Sequence, residues 1–345
     1  MVLRGAISGF GEVAARAHLP GWRTRANVSI AAIHDPVAAR RHRAINLVKN
    51  ARVYDNLELM LDGEALDFVD IASPPAFHAD AAALALASGA QVLIEKPLCL
   101  GLETFDRLVA IAGAKSRVLM CVHNWKQAPA FRRAIELVHE DSIGEVREVL
   151  MARLRTEPAG AGGSVGLSGE RWRLDARTGG GILIDHGWHT FYLMQWLIGA
   201  APESVAAHLD YPAGSAVDEA AQISFSFGDG RTGAVELSWH ARMRRTSTVL
   251  VGRTGRLEID DNRIILTDRA GRTEDLSMAD APDDSYHPAW LAGVAQEFES
   301  ALVEGANGPI CRGNQVEARS ALAIIEAARE SSARGGTSIK LANEP

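Results

Sequence analysis

The chain has 345 residues, 47% of them hydrophobic and 23% charged, with a formal net charge of -7. This length supports two domains with separate cores, and the balance is that of an ordinary globular protein rather than a disordered or fibrous one. The negative charge gives no electrostatic footprint for nucleic acid, no polybasic segment marks a membrane surface, and no apolar run reaches membrane-spanning length.

Leu3 to Ser8 is an apolar run that predicts a strand. It ends in Gly9-Phe10-Gly11-Glu12-Val13-Ala14, and a helix is predicted from Ala14 to Trp22. Strand, glycine-rich turn and helix start together form a cradle for a pyrophosphate. The third small position of the turn is Ala14, which suits close packing of helix on strand. A second apolar run, Val28 to Ile33, ends in His34-Asp35. An acidic residue at the end of the second strand is placed to hold a ribose diol and to repel a 2′-phosphate, which favours NAD(H) over NADP(H). Arg40 and Arg41 follow closely and pull the other way, and a helix N-cap before Pro36 is the competing reading of Asp35.

The alternation continues with a helix (37–44), a short strand (52–54) and a short helix (57–61). A strand over 68–72 then runs into Ser73-Pro74-Pro75-Ala76-Phe77-His78. A helix is predicted from His78 to Ser88 with Gly89 as its stop, then a strand over 92–95, a helix over 103–112 and a strand over 118–122. Repeated β-α units of this kind predict a doubly wound parallel sheet, an α/β domain of residues 1–122. Leu93-Ile94-Glu95-Lys96-Pro97 stands out within it. A buried strand ends there in a carboxylate and an ammonium, at the sheet edge where open α/β sheets bind ligands. The following proline stops the strand and is compatible with a cis bond. A surface ion pair at a turn is the alternative.

Beyond Val122 the texture changes. A helix (128–138) leads into a strand (146–154), then a Gly/Ala/Ser-rich loop over 157–170 and the element Trp172-Arg173-Leu174-Asp175. Three glycines precede an amphipathic helix predicted over Ile182 to Ile198, which carries Asp185, His186 and His189. Asp185 and His189 are one helical turn apart and share a face. Histidine exchanges a proton near neutral pH, and a carboxylate beside it can orient it or bind a substrate hydroxyl. An intrahelical surface pair is the bland reading. Asp-x-x-x-His can chelate a metal, but no third ligand accompanies it, so no metal is expected. From Val205 onward six segments alternate at strand period with turn residues between them, predicting an antiparallel sheet; two helices (289–303 and 314–334) and a short strand (338–341) close the chain. Residues 123–345 therefore read as an α+β domain with a large open, mainly antiparallel sheet. The cysteines Cys99, Cys121 and Cys311 lack metal-ligand spacing and suit a reducing compartment, and the start of the chain carries no signal peptide pattern, so a cytoplasmic location is expected.

Taken together these stretches resemble the Gfo/Idh/MocA oxidoreductases, a family named for glucose-fructose oxidoreductase, inositol 2-dehydrogenase and a rhizopine-catabolism protein. The resemblance rests on the order of five elements. They are Gly9-x-Gly11-x-x-Ala14, Asp67-x-Val69-x-Ile71-Ala72-x-Pro74-x-x-x-His78, Glu95-Lys96-Pro97, Trp172-Arg173, and Gly180-Gly181-x-Leu183-x-Asp185-x-x-x-His189. It implies an NAD-binding Rossmann domain and a second domain whose open sheet mediates a homodimer or homotetramer. It implies hydride transfer between the nicotinamide and a carbinol or carbonyl carbon of a sugar, cyclitol or related polyhydroxy compound. Lys96, Asp185 and His189 are then catalytic, with Lys96 beside the reacting oxygen and His189 as proton carrier. Gly9, Phe10, Gly11, Glu12, Val13, Asp35, Ser73, Pro74, Pro75, His78, Glu95 and Lys96 would hold the cofactor. Asn124, Lys126, Trp172, Asp185 and His189 would meet the substrate. Lys126 stands in His123-Asn124-Trp125-Lys126-Gln127, where many relatives have an arginine, and lacks the planar fork of that residue. His186, on another part of the helix surface, is expected to be structural. A relay in which NAD stays bound through a net non-redox reaction, and a catalytically silent NAD-binding sensor or scaffold, are the alternatives.

Overall fold

The computed structural model describes residues 2–158, 172–277 and 286–342. Six parallel strands, β1 (Leu3–Ser8), β2 (Val28–His34), β3 (Arg52–Tyr54), β4 (Phe68–Ile71), β5 (Gln91–Ile94) and β6 (Leu119–Cys121), form the first sheet. Their order is β3-β2-β1-β4-β5-β6. This reversal of direction beside β1 is the switch point at which a doubly wound sheet opens a crevice beyond its strand ends. β4 is buried along its whole length and β5 along nearly all of it, which is why they read as continuous apolar runs. One residue breaks that rule: Asp70, fully buried within β4.

The second sheet has nine strands: β7 (Val146–Leu154), β8 (Ser204–Asp210), β9 (Ala220–Ser226), β10 (Thr232–Ser238), β11 (Arg245–Gly252), β12 (Gly255–Asp260), β13 (Arg263–Asp268), β14 (Thr273–Asp275) and β15 (Ile339–Lys340). Their order is β14-β13-β12-β11-β7-β10-β9-β8-β15. All neighbours are antiparallel except β7 and β10, which run parallel at the centre. That pair escapes a hairpin reading because about 80 residues separate the strands. β9 alternates buried and exposed residues, so one face of the sheet packs on a core and the other does not. The short strand β14 was not foreseen; its three residues are all exposed and carry no apolar signal.

Two C-terminal helices join the halves. The helix Pro288–Glu304 lies on the first Rossmann helix, where Phe298 meets Trp22 edge-on at 6.1 Å and Phe68 at 5.7 Å. The helix Pro309–Ala333 starts five residues earlier than its periodicity suggested and covers the edge strand β6. There the Asn314 side chain accepts from the Cys121 N–H (2.7 Å) and donates to the Cys121 carbonyl (2.9 Å). An exposed edge is thereby satisfied by side chains rather than by another strand.

The largest local departure from expectation concerns two helix starts. Ala14–His18 and Leu183–Gly187 are π-helical turns that continue as the α-helices Leu19–Arg23 and Trp188–Ile198. A 3.6-residue pattern had predicted plain α-helix through both. Such single wide turns inside helices are characteristic of functional positions.

Candidate active site

The glycine turn leaves β1 at Gly9, whose φ is +90°. A Cβ there would stand 2.6 Å from the Ser73 nitrogen, so both the conformation and the close approach require glycine. Gly11 faces open space, with nothing within 4 Å of where its Cβ would lie. Ser73 at the neighbouring strand end holds a buried hydroxyl with no hydrogen-bond partner among the described residues. An open glycine, a helix start and an orphaned hydroxyl around one crevice fit a dinucleotide pyrophosphate. His78 is tied to the carbonyls of Ser73 and Pro97, both at 2.7 Å, and so fixes the two loops that frame the crevice. Burial holds its imidazole below the ordinary histidine range.

Lys96 emerges from the end of β5, and the Lys96–Pro97 bond is cis. Its ammonium donates to the Asp185 carbonyl (2.7 Å) and to Asp185 Oδ1 (3.0 Å). Asp185 sits in the π-helical turn Leu183–Gly187. That turn is seated by Asp218, whose carboxylate accepts from the Leu183 N–H at 2.7 Å. Gly181 (φ +113°) makes room for Asp218, since a Cβ there would lie 2.4 Å from its Oδ1. The second Asp185 oxygen meets Arg173 Nε at 3.0 Å and His186 Nδ1 at 3.2 Å. Burial opposes charge on Asp185, but Arg173, Lys96 and His186 outweigh it and hold the carboxyl well below its usual range. His186, expected to be structural, thus belongs to the shell around Asp185, and the Trp239 indole N–H reaches its Nδ1 at 3.4 Å.

His189, on the next turn, is buried and stacked on Trp125 with ring centroids 5.0 Å apart and an interplanar angle of 12°. Its Nδ1 lies 3.0 Å from the Tyr192 hydroxyl, which also accepts from the Trp125 N–H at 3.0 Å. The phenol can donate to Nδ1 or accept from it, while Nε2 has no protein partner among the described residues. Burial, reinforced by the Lys96 charge, drives the His189 pKa well below the ordinary value, so the ring is neutral.

Comparison with known proteins decides the family. Residues 3–123 match the model of an oxidoreductase family with an NAD-binding Rossmann fold, and residues 131–258 match the GFO/IDH/MocA C-terminal domain. The chain belongs to the Gfo/Idh/MocA oxidoreductase family. D-apiose dehydrogenase of Paraburkholderia graminis is 27% identical over 274 residues, 78% of this chain and 70% of that protein. D-glucoside 3-dehydrogenase of Escherichia coli is 29% identical over 210 residues, 60% of this chain and 57% of that one. The match to an uncharacterised oxidoreductase of Synechocystis spans about half of that relative, 52% of its length. Among solved structures, an oxidoreductase from Agrobacterium radiobacter in complex with NAD+, L-tartaric acid and magnesium has a TM-score of 0.86 at 19% identity, covering 99% of this chain and 98% of that one. Levoglucosan dehydrogenase with NADH and levoglucosan has a TM-score of 0.85 at 18% identity, covering 99% and 100%. These likenesses establish the fold, and NAD is the cofactor of the matched Rossmann family.

Within this Gfo/Idh/MocA frame, several residues behave differently from the expectation. Asp35 is fully buried: its Oδ2 accepts from the Phe10 N–H (2.7 Å) and its Oδ1 from the Val37 N–H (2.8 Å). One carboxylate therefore braces the glycine turn and a tight turn onto Val37, but it does not cap the following helix (Ala38–Leu47), whose N-cap is Val37. The Phe10 side chain is core, and Glu12 is ion-paired with Arg43. Lys126 does not extend toward Asp185; its ammonium is held by Glu317 at 2.7 Å, on the helix Pro309–Ala333, where His123 Nδ1 also binds at 3.0 Å. Glu317 is 191 residues away, so no local pattern could reveal this pairing. Asn124 retains a buried Oδ1 with no partner among the described residues, and Trp172 lies under the Arg173 guanidinium at 4.4 Å.

Sequence reasoning missed His18. It sits at the end of the first π-helical turn, wholly buried, with Nδ1 2.8 Å from Asp70 Oδ2 and Nε2 3.0 Å from Glu95 Oε1. Trp22 Nε1 donates to the same Asp70 oxygen at 2.7 Å, and Glu95 Oε2 accepts from the Lys96 N–H at 2.9 Å. Carboxylates on both ring nitrogens require both to carry protons. Desolvation works against that charge, yet Asp70 and Glu95 win and raise the His18 pKa to about 10. The available signal was Asp70 itself, a carboxylate in a strand that is otherwise wholly apolar and so in need of a partner.

Proposed function

We propose that this protein oxidises or reduces a CH–OH carbon of a sugar, cyclitol or related polyhydroxy compound, with NAD rather than NADP as hydride partner. The observation that carries the reading is the Lys96 ammonium on Asp185, with a neutral His189 one turn along the same helix. Bound in the crevice, the nicotinamide supplies a two-electron hydride acceptor or donor. Lys96 stabilises negative charge developing on the substrate oxygen. Asp185 fixes Lys96 through two contacts and offers an acceptor to a substrate hydroxyl. His189 takes the hydroxyl proton at Nε2 during oxidation and returns it during reduction, while the Tyr192 phenol compensates at Nδ1. Glu95, braced by His18, supports Lys96 from the strand side. Gly11, Glu12 and Val13 would form the phosphate cradle through their backbone, Gly9 and Phe10 shape the turn with their N–H groups on the His34 carbonyl and Asp35, and Ser73, Pro74, Pro75 and His78 line the nicotinamide end. Asp35 opposes a 2′-phosphate by charge; Arg41 is bonded to the Asp35 carbonyl (2.9 Å) and Arg40 stands 3.7 Å from its carboxylate. Asn124 and Trp172 are the proposed polar and aromatic walls toward the substrate.

We assign residues 1–122 to the cofactor domain and 123–345 to the substrate domain, whose open sheet face would pair copies into a homodimer or homotetramer. Three buried, unpaired cysteines accord with a cytoplasmic location. The test is a panel of aldoses and polyols assayed for NAD+ reduction, with Lys96→Ala as control. Turnover that survives Lys96→Ala unchanged would overturn the mechanism, and tighter binding of NADP(H) than NAD(H) would overturn the cofactor assignment.

A further inference from the structure

Lys96, Arg173 and the charged His18 are matched by Asp185, Glu95 and Asp70, so any excess positive charge at the candidate active site comes from arginines outside these pairs. Lys96 and Arg173 both lean on Asp185, and a third cation, Arg155, follows β7 directly. Its backbone N–H donates to the Ser238 carbonyl (2.7 Å) and its carbonyl accepts from Ala241 (2.9 Å), which seats it beside Trp239 and hence beside His186. Among the described residues the Arg155 guanidinium donates only to carbonyls, those of Leu154 (2.8 Å) and Arg245 (3.1 Å). The Nη groups of Arg173 have no hydrogen-bond partner among the described residues, since only its Nε is engaged. Behind them Arg153 is completely buried and donates to the carbonyls of Ala152 and Ser247 and to Thr248 Oγ1, again with no carboxylate. Asp261, which also lies near Arg155, is paired with Arg244 at 3.0 Å. Burial lowers Arg153 to about 9 and Arg155 to about 10, which leaves both charged at neutral pH.

Oxidised nicotinamide would add one more positive charge to this set, so a neutral polyol would leave the excess uncompensated in a desolvated cleft. We propose that the substrate carries an anionic group, a carboxylate or a phosphate, bound by Arg155 and Arg173. Guanidinium forks are suited to either anion through paired N–H donors. This rests on the dehydrogenase reading above and narrows its substrate class from neutral polyols to acidic or phosphorylated ones.

The experiment compares matched probes on the full-length protein: D-glucose, D-glucuronate and D-glucose 6-phosphate, and myo-inositol with myo-inositol 1-phosphate. NAD+ reduction is measured for each, and each is also titrated into the NADH complex while nucleotide fluorescence is followed. The expected result is at least tenfold tighter binding of one anionic probe than of its neutral counterpart. Arg155→Gln removes that ratio and Arg155→Lys restores part of it. The carboxylate and phosphate arms identify which anion is preferred. Equal binding of neutral and anionic probes, or a ratio unaffected by Arg155→Gln, overturns the proposal. Turnover of neutral probes alone also overturns it while leaving the dehydrogenase reading intact. Arg155-dependent anion binding without hydride transfer from any probe supports the anion site and counts against the dehydrogenase reading.

Discussion

His18 and His189 are both buried histidines, one ending a π-helical turn and the other just beyond one, and they end in opposite charge states. His18 lies between Asp70 and Glu95, and two carboxylates outweigh the loss of hydration. His189 lies between an indole face and a phenol, with the Lys96 charge near, and the Asp185 carboxylate does not outweigh the desolvation of an imidazolium. Burial by itself therefore says little about a histidine; the charge of what replaces water decides. The consequence is a division of labour. The charged ring cements two strand ends of the cofactor domain, and the neutral ring is left able to accept a proton.

The strongest way to break this contrast is to remove the neutral ring. His189→Asn should lower kcat by about 10²- to 10⁴-fold with NAD(H) affinity retained, the range expected for loss of a general acid–base. Steady-state kinetics with a nucleotide-binding titration would check it, and a loss confined to KM would show that His189 only binds substrate. On the other side, His18→Phe leaves two buried carboxylates without their cation, and should cost about 3–5 kcal/mol in urea unfolding, the cost typical of breaking a buried ion pair. A change under about 1 kcal/mol would mean that the carboxylates find other partners.

The pH dependence sharpens the comparison further. A histidine raised from 6.5 to about 10 adds stability that is complete below pH 6.5 and is lost as the pH rises through about 10. The stability gap between wild type and His18→Phe should therefore shrink between pH 7 and 10. A gap that widens there would refute a charged His18. His189, His78 and His186 are shifted downward and act in the reverse sense: unfolding lets them take up protons, so stability falls as the pH drops below 6.5. For the smallest effect, Tyr192→Phe removes one hydrogen bond from His189 Nδ1. It should reduce kcat by roughly 2- to 10-fold, in line with about 0.5–1.5 kcal/mol for one such bond. An effect as large as that of His189→Asn would make the phenol a participant in proton transfer rather than a support.

The two histidines also differ in how they could be read. His189 is one turn from Asp185 on an apolar helix, so local spacing exposed the pair. His18 is 52 residues from Asp70 and 77 from Glu95, and its neighbours in sequence say nothing of either. The same distinction separates Lys96 from Lys126. Lys96 was legible because a strand end in a wound sheet points toward the crevice whatever else surrounds it. The pairing of Lys126 was not legible because its partner, Glu317, comes from a distant helix. Arg153 and Arg155 went unnoticed because arginines near a strand end are usually solvated, and only the sheet pairing brings them beside the site.

The sequence alone determined the order of the elements, the wound parallel sheet, the glycine turn and the strand end that carries Lys96, because these follow from short-range periodicity and turn chemistry. Tertiary structure alone decided the π-helical turns at 14–18 and 183–187, the parallel β7–β10 pair and the opposite charge states of His18 and His189. Those depend on which polar atoms replace water at each position, and such partners are contributed by residues far apart along the chain.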